Sequence, residues 1–169
     1  VVALKAKALI YAMPEIKTGA SALAFTYNAL DWNLHNVYSA TNNWRITVNG
    51  RSLTSSATNT VSFARPLGVA SDIYVGASHG IYYFRGQIPE VILYNRVLSA
   101  IERNQVQSYL ALKYGQTLHS SVTNYLASDG TTIMFDYASH WNNVFGIGRD
   151  DCSALEQKQS KSTNTGDNV

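Results

Sequence analysis

The chain is short of cysteine, proline and charge: one Cys, three Pro and 14% charged residues in 169. Each shortage excludes something. A lone Cys152 rules out an internal disulfide framework and any zinc site built on cysteine pairs. With so few charges against 46% hydrophobic residues, the composition is that of a folded core and not of a disordered segment. The net charge is only +2, and the 13 Lys and Arg form no basic run, so nucleic acid is not an expected partner. The apolar opening VVALKAKALIYAM is broken by Lys5 and Lys7, which excludes membrane insertion there. That opening has no initiator Met and no signal peptide, and the ending GDNV has no terminating feature. The chain therefore reads as a piece of a longer protein.

What is present is aromatic and β-prone. Eleven Tyr, three Trp and five Phe fall mostly in short alternating segments, the texture of strands. Strands are expected at residues 1–13, 20–28, 44–49, 61–63, 72–77, 81–85 and 88–94. In the third of these, Trp44, Ile46 and Val48 alternate with Arg45 and Thr47, and Asn49-Gly50 then predicts a tight hairpin turn. Residues 29–43 read as a loop. Residues 88–94 are apolar on both faces and are expected to be covered on each side, with Pro89 marking an edge.

One helix is predicted over residues 100–114. Ser99 is its N-cap and Glu102 sits three residues on, a capping box. Val106, Tyr109, Leu110 and Lys113 share a face, with the Lys113 stem able to cover apolar surface. Gly115 suits a left-handed C-cap. Beyond the helix, Asp129-Gly130 marks a second hairpin and residues 145–148 a short strand. The Ser-, Gln- and Lys-rich stretch after Cys152 has the composition of a linker but reads better as the opening of a further module. The spacing of strands and turns favours an antiparallel sandwich over βαβ units.

The segment GQIPEVILYNRVLSAIERNQVQSYLALKYG carries a resemblance. Gly86, Ile88, Glu90, Val91, Tyr94, Asn95, Arg96, Leu98, Ser99, Lys113, Tyr114 and Gly115 are similar to the closing segment of concanavalin A-like lectin/glucanase (laminin-G-like) domains of bacterial surface proteins. The following YLASDGTTIMFDY and VFGIGRDDCSALEQKQSKS resemble a module found after such domains in large secreted adhesin-like proteins of Bacteroidota. The resemblance implies an all-β fold: an antiparallel concanavalin-like β-sandwich (jelly roll) with one C-terminal capping helix and part of a following β module. It places the sandwich at 1–118, lacking its usual first strands, and the second module at 119–169. It further implies a secreted or cell-surface setting, with neighbouring modules of the same long chain and surface polysaccharide or glycan as partners.

That fold class includes glycoside hydrolases, whose chemistry rests on paired acids. Retaining hydrolysis needs two carboxyls about 5 Å apart, which a Glu-x-Asp strand supplies on one face. No Glu-x-Asp occurs. Glu90 stands alone in its strand and reads as a structural acid holding a neighbouring backbone group or an arginine. His35, His79, His119 and His140 are dispersed, and Cys152 reads as an inert thiol. Residues 146–151, GIGRDD, lack the Lys-Ser/Thr of a phosphate loop and read as a strand and turn. Asp150 and Asp151 are the candidate donors for a calcium ion, although adjacent acids on an extended chain point apart. No other cofactor is expected. Sugar binding needs aromatic platforms beside amides and hydroxyls on loops. Two stretches have that composition: Trp32, Asn33, His35, Asn36, Tyr38, Asn42 and Asn43, and His140, Trp141, Asn142 and Asn143. The expected function is a non-catalytic structural or glycan-binding module; the alternative is an accessory or truncated hydrolase domain.

Overall fold

The computed structural model describes residues 6–7, 32–40, 42–56, 77–78, 82–83, 86–122, 124–136, 144 and 146–160. They form small antiparallel sheets around one helix, so the described chain is predominantly β. The strands expected at 20–28 and 61–63 lie outside the described residues. Ala6–Lys7 (β1) is the described part of the first expected strand.

The largest sheet has three strands: His35–Ala40 (β2), Asn43–Val48 (β3) and Arg51–Ser56 (β4), in that order. β2 replaces the loop expected at 29–43. Its composition is polar, but it pairs with β3 along its whole length, from His35 opposite Val48 to Ala40 opposite Asn43. Backbone pairing of this kind needs no apolar alternation. Ile46 and Val48 are buried as predicted, and Thr47 on the other face is buried too, so this end of β3 is covered on both sides. The Asn49-Gly50 turn forms as expected. Both residues take positive φ, 49° and 81°, the geometry that lets a two-residue turn follow the strand twist. β4 follows the turn at once and runs through its serines to Ser56.

Ala77–Ser78 (β5) and Tyr82–Tyr83 (β6) pair antiparallel. The apolar 88–94 segment contributes only Ile92–Leu93 (β7), which pairs with β1. It is not covered on both faces: Leu93 is 55% and Tyr94 46% exposed, and the buried residue is Glu90. Pro89, which has no N–H for a ladder, precedes the acid, and Glu90 is drawn inward by polar partners described below.

The helix α1 (Ala100–Tyr114) forms with the predicted caps. Ser99 accepts from the Glu102 N–H, the Glu102 carboxylate accepts from the Ser99 N–H, and Gly115 closes the helix at φ 65°, ψ 33°. After it come Asn124–Leu126 (β8) paired with Ile133–Asp136 (β9), and Gly146–Asp150 (β10) paired with Leu155–Ser160 (β11). The polar stretch after Cys152 is thus a strand where it is described, held by the β10 backbone. α1 packs against β8 and β11.

Two apolar clusters meet at the helix. Leu110 packs with Leu34, Ile92, Val106, Tyr109 and Tyr114. Ala111, its neighbour in sequence, packs with Leu118, Tyr125, Val144, Leu112, Val122 and Phe135. Consecutive helical residues diverge by about 100°, so one helix serves both. Among the described residues no helix is long and apolar enough to cross a membrane.

Candidate functional site

The densest group of ionisable side chains in the described residues surrounds Glu90. Tyr109 and Lys113 stand four residues apart on one face of α1, and Tyr114 is its last residue. Glu90 reaches them from the segment before β7. Its Oε2 accepts from Lys113 Nζ at 2.7 Å and from the Tyr114 hydroxyl at 2.7 Å; its Oε1 accepts from the Tyr109 hydroxyl at 3.2 Å. Lys113 also donates to the Tyr109 oxygen at 2.7 Å and lies 5.0 and 5.5 Å from the centroids of the Tyr109 and Tyr114 rings, within cation–π range. The partners predicted for Glu90, a backbone group or an arginine, are replaced by an ammonium and two phenols. They lie 19 to 24 residues away in sequence, so no local pattern announces them.

Glu90 is only 8% exposed, and its pKa reflects a contest. Burial raises the carboxyl pKa. The hydrogen bonds from Lys113 and Tyr114, the Lys113 charge and the Tyr109 bond outweigh burial and leave it below the usual value. Burial likewise lowers Lys113, but Glu90 and Tyr109 lift it above an ordinary lysine. Burial and the bond to Glu90 push Tyr114 up to about 12. Glu90 is therefore a charged, three-times-bonded carboxylate at neutral pH. A general acid needs the opposite shift, and among the described residues no second carboxylate acts on Glu90. The arrangement suits a clamp between the β7 segment and the C-terminal half of α1.

The described residues proposed for sugar contact do not gather in one place. Trp32 is 42% exposed just ahead of β2. Asn42 and Asn43 are exposed at the far end of that strand, with Asn42 at φ 57° in the reversal to β3. Six residues of strand span roughly 20 Å. Between these ends, His35 is buried, and desolvation lowers its pKa to about 4, so it is neutral at pH 7. Tyr38 is half-buried beneath the Arg103 guanidinium, 4.5 Å from its ring centroid. Asn33 is buried and accepts from Asn49 Nδ2 at 3.0 Å. His140, Trp141, Asn142 and Asn143 lie outside the described residues.

A polar junction beside Trp32 was missed by sequence reasoning. Asn49 Oδ1 accepts from the Leu34 N–H at 2.8 Å, the Asn49 N–H donates to the Leu34 carbonyl, and the His119 N–H donates to the Asn49 carbonyl at 2.7 Å. The Ser121 N–H donates to His119 Nδ1 at 3.1 Å, which places the proton of the neutral ring on Nε2. Burial and the Arg51 charge both lower the His119 pKa. The only signal in the sequence was the Asn-Gly turn itself.

Asp150 and Asp151 face different partners. Asp150 accepts from both the N–H and the hydroxyl of Ser128, each at 2.7 Å, tying β10 to the β8–β9 turn. Asp151 is exposed and pairs with Arg149. Asp129 accepts from the Thr131 and Thr132 N–H groups and the Thr132 hydroxyl, bonds that hold its pKa down at about 2. Among the described residues no three His, Cys, Asp or Glu side chains come together as metal ligands would.

Residues 102–169 match the family model described as a domain of unknown function (DUF8202). The match begins inside α1 and takes in both following hairpins. No curated protein and no solved structure matches the chain.

Proposed function

We propose that the chain is part of a non-catalytic extracellular module of a large bacterial surface or adhesin-like protein. In this reading its β part is a concanavalin-like sandwich, its role is structural, and glycan contact falls to exposed aromatics. One observation carries the non-catalytic part: the best-placed acid, Glu90, is held charged by Lys113, Tyr109 and Tyr114 and braces the fold. The alternative of an accessory or truncated hydrolase needs a second carboxylate facing Glu90, and the described groups on Glu90 are cationic and phenolic. The surface setting and the sandwich rest on the resemblance of residues 86–115.

Among the described candidates Trp32 best suits a sugar platform, because it is exposed and stands next to the Asn33–Asn49–His119 junction. Screening the chain on a glycan array tests this. Reproducible binding that is lost in Trp32→Ala or Trp141→Ala is the expected result. Binding that survives both substitutions removes the two tryptophans as the sugar platform, and no binding at all removes the glycan role and leaves a purely architectural module.

A further inference from the structure

We propose that α1 and the segment after it form a docking face for a neighbouring β module of the same chain, and that the Asn49-Gly50 hairpin and Glu90 occupy it, so that both parts behave as one rigid unit without a hinge.

The following hairpins hold the helix first through polar side chains. Just past β8 the Ala127 N–H donates to the Thr132 carbonyl across the β8–β9 hairpin. Residues 124, 126 and 128 therefore present their backbone groups to the other edge, since successive residues of a strand alternate. α1 meets that edge. Asn104 Nδ2 donates to the Asn124 carbonyl at 3.2 Å, the Leu126 N–H donates to Ser108 Oγ at 2.9 Å, and Gln105 Nε2 donates to the Ser128 carbonyl at 2.5 Å. Ser108 is fully buried and also donates to Asn104 Oδ1 at 3.0 Å. The helix thereby covers a strand edge that would otherwise invite a partner.

The same helix is gripped from the other side. Glu90 holds Tyr109, Lys113 and Tyr114, and Leu110 packs on Leu34 and Ile92. The hairpin tip docks just beyond the helix. Asn49 accepts from the His119 N–H, and a Cβ at Gly50 would stand 2.5 Å from Val122 Cγ2 and 3.3 Å from Gln107 Oε1. A flexible connector would be exposed and polar. Here Gln116, Thr117 and Leu118 are buried, and the Leu118 N–H donates to the Tyr125 hydroxyl at 2.8 Å. The surface fits a sheet with a tight Asn-Gly tip and an acid set over the last helical turn. It follows that the DUF8202-matching segment, which starts at Glu102, leaves out both its helix cap and the sheet it rests on. None of this depends on where the protein works.

Hydrogen exchange of the full chain, followed by mass spectrometry at rising denaturant, tests the proposal. The slowest amides of β2–β4 and of β8–β11 are expected to converge on one opening free energy. Glu90→Gln, on one side of the helix, and Ser108→Ala, on the other, are each expected to speed exchange in both groups by a common factor of roughly ten. Acceleration confined to the substituted side, or two separate opening isotherms in the unsubstituted chain, would overturn it.

Discussion

Replacing Gly50 by alanine is the sharpest single perturbation the structure offers. Gly50 sits at φ 81°, where an L side chain is strained by about 1–2 kcal/mol. Its new Cβ would also meet Val122 Cγ2 at 2.5 Å, far inside van der Waals contact, and overpacking of that kind costs about 1–3 kcal/mol. Together the penalty is roughly 2–5 kcal/mol, a large share of the 5–15 kcal/mol or so that stabilises an ordinary domain. The two parts can be separated. In a Val122→Ala background the offending methyl is gone; what remains is Gln107 Oε1 at 3.3 Å, the end of a flexible side chain that can turn aside, and the residue-122 Cβ at 3.8 Å, an ordinary contact. Urea unfolding of the four proteins of this cycle should therefore show Gly50→Ala costing only the backbone strain when Val122→Ala is present, with a coupling of about 1–3 kcal/mol. An equal cost in both backgrounds would mean that the hairpin tip does not press on residue 122, and the docking of the sheet beside the helix would be refuted.

Two further perturbations follow. The folded-state pKa of Glu90 is depressed, so its contribution to stability is present above the unfolded-state value near pH 4.3 and is lost as pH falls through the lower folded value. Unfolding measured between pH 6 and pH 2 should show that loss in the parent chain and a flatter profile in Glu90→Gln; parallel profiles would contradict the clamp. Tyr125→Phe leaves the buried Leu118 N–H without its acceptor while keeping the edge-on contact with Phe135, 5.2 Å between centroids. It should cost about 1–3 kcal/mol in thermal or urea unfolding, and a change below a few tenths would show that the bond is not formed.

Much of this architecture is written locally. The helix could be placed to the residue because its signals lie within a few positions of its ends: Ser99 with Glu102, and Gly115. The Asn49-Gly50 turn was legible because its backbone requirement is itself local. β2 was not, since residues such as Asn36 and Ser39 give no apolar alternation and the strand is held by pairing to β3. The 88–94 segment misled in the other direction. Its apolar residues predicted burial on both faces, yet the acid is buried while Leu93 and Tyr94 face solvent. The second face of α1 was hidden for a related reason: Asn104, Gln105 and Ser108 look like solvent residues until the edge of β8 is set beside them. In the candidate site, every decisive contact of Glu90 is tertiary, and only its isolation from other acids could be read in advance. Trp32 and Asn42 seemed to share a loop because the strand between them went unseen.

The function proposed above has Glu90 bracing the fold and performing no hydrolysis. The most direct measurement is release of reducing ends from a panel of polysaccharides and oligosaccharides by the intact chain, with Glu90→Gln alongside. The account predicts no release above background from either protein, on any substrate and at any pH from 4 to 8. Sustained release by the parent chain that disappears in Glu90→Gln would contradict it.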